Sequence, residues 1–388
     1  MEKAAEQAGI SLSPSTAATL LKPEDSDEKI ASVASSLATN AAVSAGKAAL
    51  DAGKDADAQA LDAAAPPPPP PPAGDDGPPY AYRDLTGRDF SGKNLDGVDF
   101  THAKLRGANF SGASLKGAEF DHADCEEANF AGAALDRASF QETRCRAANF
   151  TDASAVDARF VKTDLSAASA ARLAADRAEW DEAALPGASL RGARLQGGLI
   201  KNLSASGLDA EGADFSDANC MDCDFSGANF RGANWKTALI SGARLEGADL
   251  RAANLNETTM MGGTRLTGAD LSGANLKGGD FRAVDARQSR FDACDAGEAS
   301  FVDCLLGGSR WNLAKALRTN FSRSELSGAD FSRANLMQAS LRESRVAGTN
   351  FSAANLYGAD LYRADMDLAD VRDALLENTL LFARKEVA

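Results

Sequence analysis

The chain contains two histidines, and their spacing could bring two imidazoles side by side. His102 and His122 each follow a phenylalanine by two positions, and twenty positions separate them. In a fold that repeats over this distance they would stack about 4.8 Å apart, where they could share a metal ion or repel each other when protonated. Asp121 and Asp124 have the pattern of ordinary turn residues, so no third ligand is evident. The favoured interpretation is a pair of solvated surface histidines.

The cysteines are the other residues whose type could support chemistry. Their spacing fits no disulfide framework, and all six are expected to be reduced thiols that point into a core. Cys125 and Cys145 have the same separation as the histidines and would lie close enough to cross-link in such a fold. The six are Cys125, Cys145, Cys220, Cys223, Cys294 and Cys304.

Motifs for catalysis are missing from the sequence. It contains no phosphate-binding loop, nucleophile elbow or HExxH motif. The sequence therefore predicts a protein that is not an enzyme, with no catalytic residues, no cofactor and no metal site other than the histidine pair considered above.

A five-residue repeat dominates the chain. Seventeen of the 18 phenylalanines and all three tryptophans fall on one register, which includes every fifth residue from Leu85 to Met260 and from Leu266 to Leu381. We call these positions centres, and none of them is charged. A period of five matches neither an α-helix nor a long strand. It suits a short extended piece followed by a sharp corner, so that the chain coils around an axis lined by the centres.

Four repeats per coil fit the residues best. Phe occupies every second centre from Phe90 to Phe160, and an even number of repeats keeps Phe above Phe. Two columns then form on the outside, one of alternating charge and one an amide ladder of the kind that stacked strands favour. They contain Lys104, Asp124, Arg144 and Asp164 in the first column, and Asn109, Asn129 and Asn149 in the second.

The units Ala108–Gly112 (Ala-Asn-Phe-Ser-Gly) and Ala269–Gly273 (Ala-Asp-Leu-Ser-Gly) carry a resemblance to a known family. They resemble the A(D/N)LXX motif of pentapeptide repeat proteins, and the pattern covers about three quarters of the chain. The resemblance implies an all-β fold, a right-handed quadrilateral β-helix of about 15 coils and about 70 Å long. Its predicted structural core includes Phe90, Phe100, Phe110, Phe120, Phe130, Phe140, Phe150, Phe160, Trp180, Phe225, Trp235, Phe291, Trp311, Phe331 and Phe351.

The repeat divides the chain into four parts. Residues 1–65 form an Ala/Ser/Asp-rich tail, disordered or transiently helical, and residues 66–80 a proline-rich linker. The β-helix is expected over 81–373, with a one-residue frame slip near 261–264. Within it, the Ala-rich stretch 166–177 is either a thin coil or a short helix looped out. Residues 374–388 favour a helical cap, although the frame also fits two more strands there, and family members that protect DNA gyrase often dimerise through this end.

Composition limits the partners. The net charge is −15, with both signs interleaved along the repeat, so direct nucleic-acid binding is not expected. No apolar run is long enough for a membrane span and no secretory signal is evident, which favours a bacterial cytoplasmic protein. Tyr357 and Tyr362 are expected to face outward. Two acidic clusters, expected to be solvated faces, are Glu119, Asp121, Asp124, Glu126 and Glu127, and Asp209, Glu211, Asp214, Asp217, Asp222 and Asp224.

Three functions are compatible with this sequence. The first is a non-catalytic scaffold for protein–protein interaction, monomeric or an end-to-end dimer, with an unknown protein partner. A bacterial secretion-system accessory is a special case, since pentapeptide arrays also occur in type VI accessory proteins. The second is a DNA mimic that inhibits or protects DNA gyrase. The third is a secreted effector that uses the N-terminal tail for export.

Overall fold

A computed structural model describes residues 80–380 of the chain. All described residues belong to one compact unit. The predicted tail, the proline-rich linker up to residue 79 and the last eight residues lie outside the described part.

Each five-residue unit is a short extended segment closed by a tight corner. The residue before the centre, here called the ladder position, pairs with the coils on both sides. Asn109 N–H donates to Arg88 O at 2.9 Å, and Phe110 N–H donates to Asn129 O at 2.7 Å. The residue two after the centre, the corner position, has a positive φ, as in Gly112 (63°). Glycine is preferred there because this left-handed conformation strains other residues.

Four units make one turn of the coil. Parallel bridges join each ladder position to the one four units further along, from Asp84↔Lys104 to Asp360↔Leu380. Five parallel strands form where pairing extends over three positions, in the order β1-β2-β3-β4-β5. They are β1 (Glu179–Asp181), β2 (Leu199–Lys201), β3 (Asn219–Met221), β4 (Leu239–Ser241) and β5 (Thr259–Met261). This parallel pairing is the four-sided β-helix that the sequence predicts.

The four sides are named here by their first centres: the Leu85, Phe90, Leu95 and Phe100 faces. All five strands belong to the Phe100 face. Inside, aromatic rings stack without a break along the Phe90 column as far as Phe150 and along the Phe100 column as far as Trp180. Ring centroids are 5.0 Å apart for Phe110–Phe130 and 4.9 Å for Phe120–Phe140. The two columns meet edge to face, 5.4 Å apart for Phe120–Phe130. These offset and perpendicular arrangements are the ones that aromatic rings favour.

Residues 166–177 continue the coil. Ser169 pairs with Asn149 and Ser189, and Ala174 pairs with Ser154 and Arg194, so the alternative of a looped-out helix is wrong for this stretch. Its interior is thin because Ala170 and Ala175 replace larger centres. Leu173, two residues before a centre, is buried and takes up part of the volume. A small apolar void of about 10 Å³ remains, lined by Phe150, Phe160, Leu165, Ala168, Ala170, Leu173, Trp180, Leu185, Ala188 and Leu190.

The frame slip is confined to one corner. Gly262 and Gly263 both have positive φ, 64° and 81°, and follow β5 directly. Pairing resumes with Arg244↔Arg265 and Thr259↔Asp280, a step that is one position longer than elsewhere. The extra residue is therefore accommodated on the outside of the coil, and every later centre up to Leu361 remains buried inside.

The two ends of the coil differ. At the start, the Tyr80 ring stacks on Phe100 at 5.2 Å, and Lys93 Nζ lies 5.5 Å from the centre of the Phe90 ring. The positions two before the centres are small in most coils, but here they hold Arg83, Arg88, Lys93 and Val98.

At the other end, residues 374–380 continue the repeat. Leu375 pairs with Asn355 and Leu380 with Asp360, so the predicted helical cap is wrong for these residues, and the alternative of further strands describes them. Hydrogen bonding to the preceding coil outweighs the helical pattern of leucines. Leu375 and Leu380 are 43% and 48% exposed. The rest of the predicted cap, 381–388, lies outside the described residues.

Candidate interaction surfaces

The predicted core residues occupy the interior of the coil, and none of the 15 is more than 1% exposed. The position two before each centre, here called the inner position, also points inward and is usually Ala. Where it is Thr or Ser, the hydroxyl donates to a nearby backbone oxygen, in most cases on the preceding coil, except at Ser309, whose hydroxyl accepts from Trp311. Thr143 Oγ1 bonds Phe120 O at 2.7 Å, and Thr319 Oγ1 bonds Ala296 O at 2.6 Å. These buried hydroxyls are therefore satisfied and part of the packing.

The two histidines form part of a column at the corner between the Phe100 and Leu85 faces. Their rings are stacked with centroids 4.7 Å apart, and Tyr82 continues the stack 4.8 Å from His102. His122 Nδ1 lies 3.3 Å from a carboxylate oxygen of Glu142. Among residues 80–380, no three His, Cys, Asp or Glu side chains are grouped so that they could hold a metal ion. The column is best described as a stacked polar corner.

The six cysteines are free and buried. Burial raises the pKa of the Cys145 thiol well above its usual value, and contact with Cys125 raises it further. Burial also raises the pKa of Cys223 to about 12. Thiols with raised pKa hold their protons at neutral pH and are poor nucleophiles, so these cysteines act as small core residues.

Amide ladders follow the axis on two faces. On the Phe90 face, Asn149 Nδ2 donates to Asn129 Oδ1 at 3.1 Å and Asn129 to Asn109 at 3.1 Å. The chain of donors ends at Asp89, whose carboxylate accepts from Asn109 at 3.0 Å. A second ladder, on the Leu95 face, consists of Asp214, Asn234, Asn254 and Asn275. The ladders help to fix the register of neighbouring coils.

Arginines of neighbouring coils neutralise two of the five residues of the first acidic cluster. Asp124 lies 3.2 Å from Arg144, and Glu126 pairs with Arg106 and Arg146. Arginines from adjacent coils thus interrupt the negative charge.

The second cluster is neutralised in part. Arg191 contacts Asp209 at 3.1 Å and Glu211 at 2.8 Å, and Arg244 contacts Asp224 at 2.7 Å. Neither cluster is a continuous negative face.

Corner residues pair along the axis as well. Arg172 donates to both carboxylate oxygens of Asp152, and Arg177 does the same to Asp157 at 2.9 Å. The hydrogen bonds from Arg177 lower the pKa of the Asp157 carboxyl below its usual value. These bidentate pairs have the planar geometry that suits Arg and carboxylate, and they join the coils on either side of the void.

Tyr357 and Tyr362 lie on the outside but are half-buried. The guanidinium carbons of Arg342 and Arg363 lie 4.8 and 5.1 Å from the centre of the Tyr362 ring. These cation–π contacts cover Tyr362 with side chains of its own chain.

A coil of parallel five-residue units with a filled interior and paired outer columns defines a class: the four-sided β-solenoid. A sequence model of pentapeptide repeats matches the chain in eight copies, within 84–166, 218–257 and 264–373. These ranges cover more than half of the sequence, and the chain belongs to the pentapeptide repeat family.

Solved structures show similar chains. HetL, a pentapeptide repeat protein involved in heterocyst differentiation regulation in the cyanobacterium Nostoc sp. strain PCC 7120, is 21% identical. The match covers 76% of this chain and 92% of HetL, with a TM-score of 0.21. QnrB1, a plasmid-mediated fluoroquinolone resistance protein, is 22% identical over 52% of this chain and 91% of its own, with a TM-score of 0.28.

A pentapeptide repeat protein from the Arabidopsis thaliana thylakoid lumen is 32% identical, over 37% of this chain and 75% of that protein, with a TM-score of 0.14. A search of curated proteins finds no match. Within residues 80–380 there is no helix of the length and apolarity that crossing a membrane requires.

The sequence did not indicate every surface contact. The stack of Tyr82 on His102 and the contact between His122 and Glu142 were missed, although all four residues share the corner position and follow each other by one coil. The backbone hydrogen bonds of the inner Thr and Ser residues could also have been predicted from the sequence, because a hydroxyl that points into the core must find a hydrogen-bond partner.

Proposed function

We propose that the chain is a non-catalytic scaffold for protein–protein interaction. The observation that carries the proposal is the pairing between coils, which continues from Asp84 to Leu380 across the one-residue slip after β5 and presents outward side chains at regular steps. The interior is filled by its own side chains, and the void beside Trp180 is far smaller than a ligand pocket, which is usually about 300 Å³ or more. Such a surface can hold proteins at defined positions but offers no enclosed place for a reaction.

Affinity purification of the full chain with quantitative mass spectrometry tests this function. A second bait carries Phe130→Asp, which should unfold the coil, and a third carries Ser111→Asp on its outside. A scaffold predicts partners that the wild type and Ser111→Asp retain and that Phe130→Asp loses. Equal recovery of every partner by the unfolded bait would overturn the proposal, since the folded surface would then be irrelevant.

DNA mimicry is the second candidate, because the chain is acidic and its family includes gyrase-protecting proteins. It requires a continuous negative face, whereas the two acidic clusters are interrupted by Arg144, Arg191 and Arg244. Inhibition or protection of gyrase supercoiling by the purified chain would favour mimicry over a scaffold. The export-tail and secretion-accessory hypotheses depend on residues 1–79, outside the described part of the chain.

An end-to-end dimer fits the scaffold as well. Leu368, Leu375, Leu376 and Leu380 are all more than a third exposed at the last described coils. Contact with a second copy would cover this apolar end. Sedimentation at several concentrations tests the dimer, with Leu376→Lys expected to shift the equilibrium to monomer.

A further inference from the structure

An apolar patch lies on the Phe100 face over four consecutive coils. Leu199 and Leu239 occupy ladder positions in β2 and β4, while Met221 and Met261 occupy the turn positions, one after the centre, in β3 and β5. All four point outward, and none is buried. Ladder and turn positions elsewhere are mostly polar or charged, so a run of four apolar residues over neighbouring coils departs from the pattern of this surface.

The polar side chain between the two leucines is unusual too. Asn219 lies on β3, paired with Leu199 on one side and Leu239 on the other. Its Oδ1 atom is shielded from water and accepts no hydrogen bond in the described part of the chain. An unpaired buried acceptor is costly, and a donor that approached between the leucines would relieve that cost.

Acidic side chains stand on both sides of the patch. Asp217 and Glu257 occupy the corner that precedes the Phe100 face, beside β3 and β5. On the corner that follows this face, Asp222 stands beside β3, and Glu182 stands beside β1, one coil before Leu199. Within residues 80–380, none of these four carboxylates lies within ion-pair distance of a Lys or Arg. They differ in this from Asp224 on the neighbouring Leu85 face and from Asp209 and Glu211 on the opposite Phe90 face, which arginines neutralise.

We propose that this surface, formed by Leu199, Met221, Leu239 and Met261 with its acidic borders, binds a basic amphipathic helix of a partner protein. Coils follow each other at about 4.8 Å, close to the pitch of an α-helix, which is about 5.4 Å. A helix of about three turns that lies along the axis would place one apolar side chain against each coil. Lysines or arginines on its flanks would then face these carboxylates, of which Asp217 already accepts hydrogen bonds from Thr237 and Gln196.

A second copy of this face does not fit the same surface. Two such faces in contact would bring four carboxylates against four others, and the cost of like charges would oppose the apolar contact. The proposed occupant is therefore a different, basic segment. The inference rests on the scaffold function and adds to it a surface and the chemistry of a partner.

The test uses the full chain and a labelled synthetic peptide of about 15 residues, with Leu at helical spacing i, i+3, i+7 and i+11 and Lys at the flanking positions. A second peptide of the same composition has the order scrambled, and a third has Glu in place of Lys. Fluorescence anisotropy at low salt measures binding. The proposal predicts that the amphipathic Lys peptide binds at least tenfold more tightly than either of the others.

Matched variants locate the binding. Leu239→Gln with Met221→Gln removes the centre of the apolar patch. Leu305→Gln with Met337→Gln changes the same two repeat positions on the Leu85 and Leu95 faces. We expect the first pair to weaken binding of the Lys peptide about tenfold and the second to leave it unchanged, with equal thermal unfolding for both. Equal effects of the two pairs, or equal binding of the scrambled peptide, would overturn the proposal.

The outcome is separable from that of the scaffold proposal. If the Leu239→Gln/Met221→Gln chain loses the peptide but still recovers the partners found by affinity purification, the scaffold holds and its partners bind elsewhere, which would overturn this surface as their site. If those partners are lost with the peptide, both proposals are supported.

Discussion

The coils centred on residues 90–160 and those centred on residues 165–190 have the same backbone and different interiors. In the first region, stacked phenylalanines fill the axis, and the pentapeptide repeat model matches throughout 84–166. In the second, alanines occupy two centres and a small void remains. Ladder pairing nevertheless continues through both regions with the same step of four units.

The comparison separates what specifies the fold from what stabilises it. Backbone pairing between coils and left-handed corners are common to both regions, and Asp152 and Ala167 adopt the same positive φ as glycine. The interior can change as long as it stays apolar and roughly the same volume, as with Leu173 and Ala175. The filled coils should therefore contribute more stability per coil than the thin ones.

The largest effect is expected from a charge in the filled region. Phe130→Asp places an unpaired carboxylate among stacked rings, and we expect a loss of more than about 4 kcal/mol in the free energy of unfolding. Ser111→Asp, on the outside, should change it by less than about 0.5 kcal/mol. Thermal denaturation followed by circular dichroism measures both. Equal shifts would show that the assignment of inside and outside is wrong.

Adding side-chain volume to the interior should change the free energy of unfolding with opposite signs in the two regions. Ala170→Leu enters the thin coil beside the void, and we expect a gain of about 1 kcal/mol. Ala128→Leu adds the same atoms at an inner position between stacked phenylalanines, and overpacking should cost about 1–3 kcal/mol. Chemical denaturation of the two variants gives the comparison, and a loss for Ala170→Leu would mean that the thin coil is already filled.

A smaller gain in stability is expected from supplying hydrogen-bond acceptors to the buried tryptophans. Trp311 Nε1 donates a hydrogen bond to Oγ of Ser309, two residues earlier in the chain, at 2.8 Å. Trp180 and Trp235 have Ala178 and Ala233 at that place, and their buried indole nitrogens donate no hydrogen bond among the described residues. Ala178→Ser and Ala233→Ser should each add about 1 kcal/mol.

Ser309→Ala is the matched reversal and should destabilise by a similar amount. Urea denaturation monitored by tryptophan fluorescence measures all three variants. No gain from either serine would show that the indole nitrogens are satisfied in solution by water.

The smallest effect is expected from the exposed pair that joins the two regions. Hydrogen bonds from Arg177 lower the pKa of Asp157, so the carboxylate favours the folded state. Its contribution is present above the unfolded pKa, near 3.8, and is lost as pH falls through the lower folded value. Asp157→Asn should lower the melting temperature slightly at pH 7 and not at all at the acid limit, and salt should weaken the effect. If the difference in melting temperature between the wild type and Asp157→Asn grew as pH fell, the stabilising role of the Asp157–Arg177 pair would be contradicted.

Much of the fold could be predicted from the sequence, because period and polarity are local properties of the chain. The centres, the four-unit coil and the stack of His102 on His122 follow from spacing alone. The helical cap predicted from the C-terminal leucines was wrong for 374–380. A helical pattern there competes with pairing to the preceding coil, and that pairing depends on residues a whole coil earlier in the chain. The apolar patch of Leu199, Met221, Leu239 and Met261 was missed because successive members are about one coil apart in the sequence. They share one surface only when the coils stack.

The covered first coil has a consequence for synthesis on the ribosome. A chain emerges from its N-terminus, and each coil needs only its neighbour to bury its interior. Because Tyr80 and Lys93 already lie over the first rings, the earliest coil exposes less apolar surface while it waits for the next. Folding can then proceed in the order of translation, one coil at a time, and exposed apolar surface is confined to the most recently folded coil.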